Sequence, residues 1–159
     1  MPEFSLGTIS AGTMRPQDLI PSFLETLDSM GGTIPGDLEC GTHIEYTDPA
    51  NTSMLANLST IDDDDPFWDS EDAGWDLDAL FDALQELCPA YVYFGAHPGD
   101  GADYGFWPAI DSLEEDLRYA EPTDTPEEKI IDNDCIVQVN DHGNVTMMTL
   151  DREVLWSCV

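Results

Sequence analysis

The side chains that come nearest to a metal site lie in residues 95–105, a glycine-rich stretch. This stretch holds His97, Asp100 and Asp103, and carboxylate oxygens on such a loop are ligands that Ca²⁺ accepts. The spacing of an EF-hand loop, with its distal glutamate, is absent there and in the acidic stretch 62–76. We therefore predict no metal site and no cofactor.

A tight turn is the structural alternative for the same stretch. Its glycines would supply positive φ, and its aspartates would cap backbone N–H groups. These glycines are Gly99, Gly101 and Gly105. Aromatic residues flank the stretch, and we expect them to pack in the core rather than to contact a partner. They are Tyr93, Phe94, Tyr104, Phe106 and Trp107.

No other part of the chain has the spacing of a catalytic or zinc site. The three histidines and four cysteines include no CxxC pair and no Cys or His at zinc spacing. The chain has no GxSxG, no HExxH and no phosphate-cradling glycine loop followed by lysine. Basic residues that could hold a phosphate substrate are scarce as well. We therefore predict a non-enzymatic protein without catalytic residues, with its cysteines as reduced thiols.

The dominant feature of the chain is its excess of acidic residues. It has 34 aspartates and glutamates against four lysines and arginines, a formal net charge of −30 at pH 7. No lysine or arginine lies between Arg15 and Arg118. Because like charges repel, such an excess opposes the compact state. With 42% hydrophobic residues the chain is nevertheless expected to fold. Because a folded protein keeps this costly charge, we infer that the charge has a use, namely to occupy a protein surface built to bind a polyanion.

Acidic residues are concentrated in two segments, residues 62–86 and 111–116, and we predict that both segments bind the partner. Eleven acids fall within residues 62–86, where Asp78, Asp82 and Glu86 follow one another at i, i+4 spacing. Like charges at this spacing cost an isolated helix ~0.2–0.5 kcal/mol per pair, which favours a functional reason for keeping them. The predicted partner-binding residues are Asp62, Asp63, Asp64, Asp65, Asp69, Glu71, Asp72, Asp78, Asp82, Glu86, Asp111, Glu114, Glu115 and Asp116.

A single acidic helix face is too sparse to copy a nucleic-acid strand. Four helical residues rise ~6 Å along the axis, whereas one DNA strand offers a phosphate every ~3.4 Å. Mimicry therefore requires residues 62–76 and the acidic faces of two helices to converge on one surface.

With its aspartates at 62–65, its acids at 78, 82 and 86 and those at 111–116, the chain resembles the small acidic DNA-mimic inhibitors of phages and mobile elements. Antirestriction proteins, some anti-CRISPR proteins and uracil-DNA glycosylase inhibitors belong to this class, which spans unrelated folds. The resemblance implies inhibition by occlusion. The protein would block the DNA- or RNA-binding groove of a host defence or nucleic-acid-processing protein, and no individual residue role is carried over.

The expected partner is a basic nucleic-acid-binding protein or a nuclease complex. A surface this negative should avoid nucleic acid itself and anionic membrane faces, so we expect a cytoplasmic protein, in the host cytoplasm if a phage encodes it. The alternatives are an immunity protein or antitoxin that neutralises a basic nuclease toxin, a salt-adapted protein, and a calcium-binding acidic module. The oligomeric state is left open.

Apolar periodicity and composition predict the elements that position these residues. Helices are expected at 15–30, 77–88 and 111–119, with Asp76 as N-cap of the second. Strands are expected at 43–46, 91–94 and 104–107, and in a C-terminal meander of 135–139, 145–150 and 154–158. Residues 53–58 are a helical turn or a loop, and 121–134 are an acidic loop. Phe67, Trp68 and Trp75, interleaved with the acids, are expected to pack onto the protein body.

The predicted fold class is α+β. We expect one domain over residues 14–159, with an antiparallel sheet that ends in a three-stranded meander and about three helices packed on one face. Residues 1–13 lack periodicity and are expected to be disordered or vector-derived, with Met14 as a candidate native start.

Overall fold

The computed structural model describes residues 3–131 and 134–159, which contain four α-helices and eight β-strands. The helices are α1 (Pro16–Ser29), α2 (Met54–Asn57), α3 (Glu71–Glu86) and α4 (Ile110–Leu117). The strands are β1 (Gly7–Ser10), β2 (Val92–His97), β3 (Asp100–Pro108), β4 (Glu121–Pro122), β5 (Glu128–Ile131), β6 (Cys135–Val139), β7 (Val145–Thr149) and β8 (Val154–Cys158). Short 3₁₀ helices span Glu39–Thr42, Leu58–Thr60 and Pro66–Asp69.

The strands form two antiparallel sheets, one of three strands in the order β1-β3-β2 and one of five in the order β4-β5-β6-β7-β8. The predicted α+β class is confirmed. The chain divides into two compact units. We call Thr8–Leu87 with Phe94–Tyr104 the helical unit, and Met1–Gly7 with Cys88–Tyr93 and Gly105–Val159 the sheet unit. The single domain expected over residues 14–159 stays a prediction.

The core of the helical unit is built where α1 packs against α3. The apolar residues at helical spacing in α1 are buried as the sequence predicts. Phe23, fully buried, contacts the rings of Phe81, Phe94 and Tyr104, with ring centroids 5.1–5.8 Å apart. Edge-on aromatic pairs of this kind add to the free energy gained from burial. The expectation that Phe94 packs in the core is confirmed.

Two glycines end α1. Gly31 has a φ of +73°, a conformation that other residues rarely adopt, and the N–H of Gly32 donates to the carbonyl of Leu27 at 2.9 Å. This bond, from the second residue after the C-cap back into the last turn, satisfies a carbonyl that has no hydrogen-bond partner within the helix. The predicted helix 15–30 is thus confirmed within one residue at each end.

A central part of the core of the sheet unit lies on one face of the five-stranded meander. Val137, Met147 and Trp156 are paired across β6, β7 and β8, and none is more than 1% exposed. The indole N–H of Trp156 donates to the carbonyl of Ala90 at 2.8 Å, which satisfies its polar group inside an apolar core. The predicted C-terminal meander is confirmed, since β6, β7 and β8 match it to within one residue.

Local composition misled two element predictions. Residues 43–46 form no strand; Ile44 is buried, and the ring of His43 lies 4.6 Å from that of Phe67. Residues 121–134 are not simply a loop, because β4 and β5 lie within them and β5 pairs with β6. Residues 132 and 133 lie outside the described residues. Pairing with neighbouring strands in space decides such segments, and short windows of sequence do not show it.

The amino-terminal segment and one helix start also differ from expectation. Within the predicted disordered or vector-derived stretch 1–13, residues 7–10 form β1, which pairs with β3; residues 1 and 2 lie outside the described residues. The second long helix, α3, begins at Glu71 rather than 77. Residues 53–58 contain the helical turn α2. In the described part of the chain, none of the helices combines the length and apolar character needed to cross a membrane.

Candidate partner-binding surface

The aspartate run, residues 62–65, precedes the 3₁₀ helix Pro66–Asp69 in the helical unit. Asp62, Asp63 and Asp64 are exposed, whereas Asp65 is half-buried. The Asp65 carboxylate accepts the N–H of Phe67 at 2.9 Å and so caps the 3₁₀ helix. Phe67 and Trp68 are buried beneath the run, which confirms that this segment packs onto the protein body. The run is therefore held on an anchored turn.

Arg15 lies against the aspartate run. One of its guanidinium nitrogens contacts both carboxylate oxygens of Asp63 at 3.0 Å, and another lies 3.2 Å from Asp18. These side chains are about half exposed or more, so the pairs add little to stability. They do neutralise part of the run, a pairing between residues 48 apart that sequence spacing did not reveal.

Five exposed side chains on the outward face of α3 form what we call the α3 stripe: Glu71, Trp75, Asp78, Asp82 and Glu86. Their spacings of three and four residues place them on one side of the helix, opposite the buried Leu80 and Leu84. Over this length the helix rises ~22 Å. The stripe thus joins four carboxylates predicted from sequence as partner-binding with one indole that was not predicted there.

The start of α3 explains part of its acidity. Ser70 is the N-cap, and its hydroxyl accepts the N–H of Ala73 at 3.4 Å. Glu71 and half-buried Asp72 lie in the first turn, where negative charge is stabilised by the positive end of the helix dipole. These two acids therefore stabilise α3, whereas the acids at 78, 82 and 86 lie too far from its N-terminus for the helix dipole to stabilise them.

Asp76 is not the N-cap that the sequence predicts; it lies inside α3 and is only 2% exposed. Its carboxylate accepts the backbone N–H groups of Glu39 and Cys40 at 2.6 and 2.8 Å. It therefore caps the 3₁₀ helix Glu39–Thr42, a neighbouring element, rather than its own helix. Its spacing from Leu80 and Leu84 would place it on the buried face once α3 is known to begin at residue 71.

Trp75 also differs from expectation, because its side chain is 59% exposed rather than packed onto the protein body. Trp68 and Trp156, by contrast, are 4% and 0% exposed. If the helix is assumed to start at residue 77, Trp75 lies outside it and helical periodicity cannot assign its side chain to a face. With the start at Glu71, helical periodicity assigns it to the same face as Asp78.

The second acidic segment lies on α4, in the sheet unit. Asp111, Glu114 and Glu115 are exposed, and Asp116 is half-buried, with its carboxylate accepting the hydroxyl of Tyr91. Leu113, on the opposite face, is buried. The two acidic segments thus belong to different units. Convergence of all fourteen predicted residues on one surface stays a prediction.

The glycine-rich stretch 95–105 forms most of a hairpin. β2 runs to His97, and β3 begins at Asp100, so the turn is only two residues long. The predicted positive φ at Gly99, Gly101 and Gly105 is wrong, since in the described residues glycines with positive φ are Gly7, Gly12, Gly31 and Gly143.

Side chains of the hairpin bind its own backbone. His97 accepts the N–H of Gly99 through Nδ1 at 2.9 Å, and Asp100 accepts the N–H of Ala102 at 3.0 Å, as the predicted capping of backbone groups requires. Oδ1 of Asp103 is buried without a hydrogen-bond partner among the described residues. No group of three or more His, Cys, Asp or Glu in these residues is arranged to hold a metal ion.

The cysteines in the described structure are free thiols. Burial, helped by the nearby Asp76 carboxylate, raises the pKa of Cys40 from 9.0 to about 12. Burial likewise raises the pKa of Cys88 to about 11. Because the thiolate is the nucleophile, both thiols are poor nucleophiles at neutral pH.

A cavity of about 520 Å³ adjoins the aspartate run. Apolar side chains and acidic or amide side chains contribute to its walls together. The residues that line it are Gln17, Pro21, Glu25, Leu55, Leu58, Ser59, Ile61, Asp62, Asp63 and Trp68. Such walls suit a side chain with an apolar stem and a cationic head, as in lysine and arginine.

Comparisons with known proteins leave this site to be judged on its own geometry. Neither a protein-family model, nor a curated protein, nor a solved structure matches the chain.

Proposed function

We propose that this protein is a non-enzymatic inhibitor that occupies the DNA- or RNA-binding groove of a host defence or nucleic-acid-processing protein, as anti-CRISPR and antirestriction proteins do. Its carboxylates would stand in the places of phosphates, in the cytoplasm where such targets work. The observation that carries the proposal is the α3 stripe, whose acids are exposed on a packed 16-residue helix. We propose no direct contact with nucleic acid or membrane.

The scarcity of internal counter-charge supports this use. In the described residues, ion pairs within 4 Å join Arg15 to Asp18 and Asp63, and Arg152 to Glu128. The acids of the α3 stripe take part in none of them. Their charge therefore acts outward, where it attracts basic proteins and raises the rate of encounter.

Rigidity gives the surface an advantage over an acidic tail. The stripe lies on a helix whose opposite face is buried against α1. Binding therefore does not require the ordering of a flexible chain, which reduces the entropic cost of association. The aspartate run, anchored by Phe67 and Trp68, precedes the same helix and adds carboxylates beyond the stripe.

Charge reversal on α3 tests the proposal. The immobilised protein would capture proteins from host lysate at low salt, and the captured proteins would be assayed for nucleic-acid binding and cleavage with and without added inhibitor. We expect the variant D78K/D82K/E86K to lose both capture and inhibition. It should stay folded, because the three side chains are exposed and lysine favours helices at least as well as aspartate does.

A matched variant separates position from net charge. D28K/D37K/E45K changes the net charge by the same amount at exposed positions outside the predicted surface. We expect it to retain most of the capture and inhibition. Equal loss in both variants would show that only total charge matters, and no loss in either would remove α3 from the interface. A basic nuclease toxin as the captured protein would support the immunity-protein alternative.

A further inference from the structure

Trp75 is the one tryptophan in the described residues that is mostly exposed, at 59%. Tryptophan is a large apolar side chain, and its burial contributes strongly to cores and interfaces. Trp68 and Trp156 are buried accordingly. An indole left in water on a rigid helix forgoes this stabilisation in the isolated protein and is available to gain it in a contact with another molecule.

The surroundings of Trp75 define the chemistry of that contact. Glu71 lies four residues before it and Asp78 three residues after it, so that both carboxylates flank the indole on the same helix face. Burial of this site under an apolar partner would strip water from two unpaired carboxylates, which is costly. A second copy of this chain, with its net charge of −30, would be repelled. The complementary partner is a cationic protein surface.

Among cationic side chains, arginine fits this site best. Its guanidinium is planar and weakly hydrated, stacks on aromatic faces and forms paired hydrogen bonds with carboxylates, whereas the lysine ammonium is a strongly hydrated point charge. Tryptophan is also the aromatic ring that binds cations best. Asp63 already holds the guanidinium of Arg15 through both of its oxygens, which illustrates the carboxylate half of such a contact.

We propose that Trp75 is the anchor of the α3 stripe, and that it stacks on an arginine of the target while Glu71 or Asp78 pairs with the same guanidinium. This inference rests on the proposed function, which it deepens by naming the contact face and the side chain recognised. The interaction makes the surface selective for arginine-bearing grooves rather than for positive charge in general.

Two short peptides of equal charge test this selectivity. Tetra-arginine and tetra-lysine would be titrated into the full-length protein at low salt by calorimetry. Diffuse attraction to the acidic surface acts on both peptides, so the ratio of the two dissociation constants isolates the stacking contribution. We expect W75A to reduce the preference for arginine by about two- to fivefold, the range for an exposed cation–π contact. W75F should retain part of the preference, because phenylalanine keeps a weaker aromatic face.

Tyr119 provides the control, since it is 83% exposed but follows Arg118 directly. We expect Y119A to keep the arginine preference of the unmodified protein. An unchanged preference in W75A, or an equal loss in Y119A, would overturn the proposal. Denaturation midpoints of each variant verify folding, and W75F repeats the test should W75A not fold. Failure of the proposed function is distinct, because it appears as unchanged host-protein capture by D78K/D82K/E86K.

Discussion

The same substitution, aspartate to asparagine, is expected to destabilise the protein at Asp76 but not at Asp78, two residues apart on α3. Asp76 is 2% exposed and accepts the N–H groups of Glu39 and Cys40. Hydrogen bonds to a charged group contribute about 1.5–3 kcal/mol each. Asparagine keeps one acceptor oxygen but turns an NH₂ group towards the second N–H. We therefore expect D76N to lower the free energy of unfolding by about 2–4 kcal/mol.

Asp78 provides the matched control because it is exposed and belongs to the α3 stripe. Removal of its charge relieves a like-charge contact with Asp82, and we expect D78N to be neutral or stabilising by ~0.2–0.5 kcal/mol. Urea denaturation of both variants and the unmodified protein at pH 7, analysed with a common slope, gives the comparison. Equal midpoints for D76N and D78N would refute the role of Asp76 as an internal cap.

Three further predictions concern charge and pH. Arg152 contacts both oxygens of the carboxylate of Glu128, a residue that is 6% exposed. R152A should lower the free energy of unfolding, measured by urea denaturation, by about 1–3 kcal/mol, less than the loss of a fully buried pair because the arginine is half exposed. R152G should lower it by less than R152A does, because φ is +67° at this position and glycine adopts that conformation without strain. Salt raised from about 0.01 to about 1 M should increase the melting temperature through screening, and a fall would contradict the repulsion inferred from net charge. The raised pKa of the Cys40 thiol adds stability that is complete below pH 9 and is lost as the pH rises towards about 12. The urea midpoint of the unmodified protein should therefore fall at alkaline pH, and C40S should make this fall smaller. An unchanged fall in C40S would exclude Cys40 as its source.

Elements that carry their own hydrophobic pattern were predictable from sequence. Leu19, Phe23 and Leu27 lie at helical spacing in α1, and this apolar pattern predicted the bounds of the helix to within one residue at each end. The meander β6–β8 was equally clear, because Asn140 and Gly143 mark its first turn: Oδ1 of Asn140 accepts the N–H of His142, and Gly143 has a φ of +81°. In such segments the residues that fix the backbone are neighbours in sequence.

Segments that depend on a distant partner were not predictable in this way. β1 exists through its pairing with β3, some ninety residues later. Residues 43–46 have strand-like composition but form no ladder, and Ile44 is buried instead. Strand propensity expresses packing on a sheet, so it has no effect where the fold provides no sheet edge.

The sequence alone determined the sign and the size of the electrostatic field, because charge depends on composition and no fold can change a net charge of −30. It also placed acids at 78, 82 and 86 on one helix face. The tertiary structure decided which acids face water and which hold the fold together. Asp76 became a buried cap and Asp63 an arginine partner, while Trp75, expected in the core, remained exposed. These outcomes depend on which backbone groups and side chains approach one another in space, and local spacing does not contain that information.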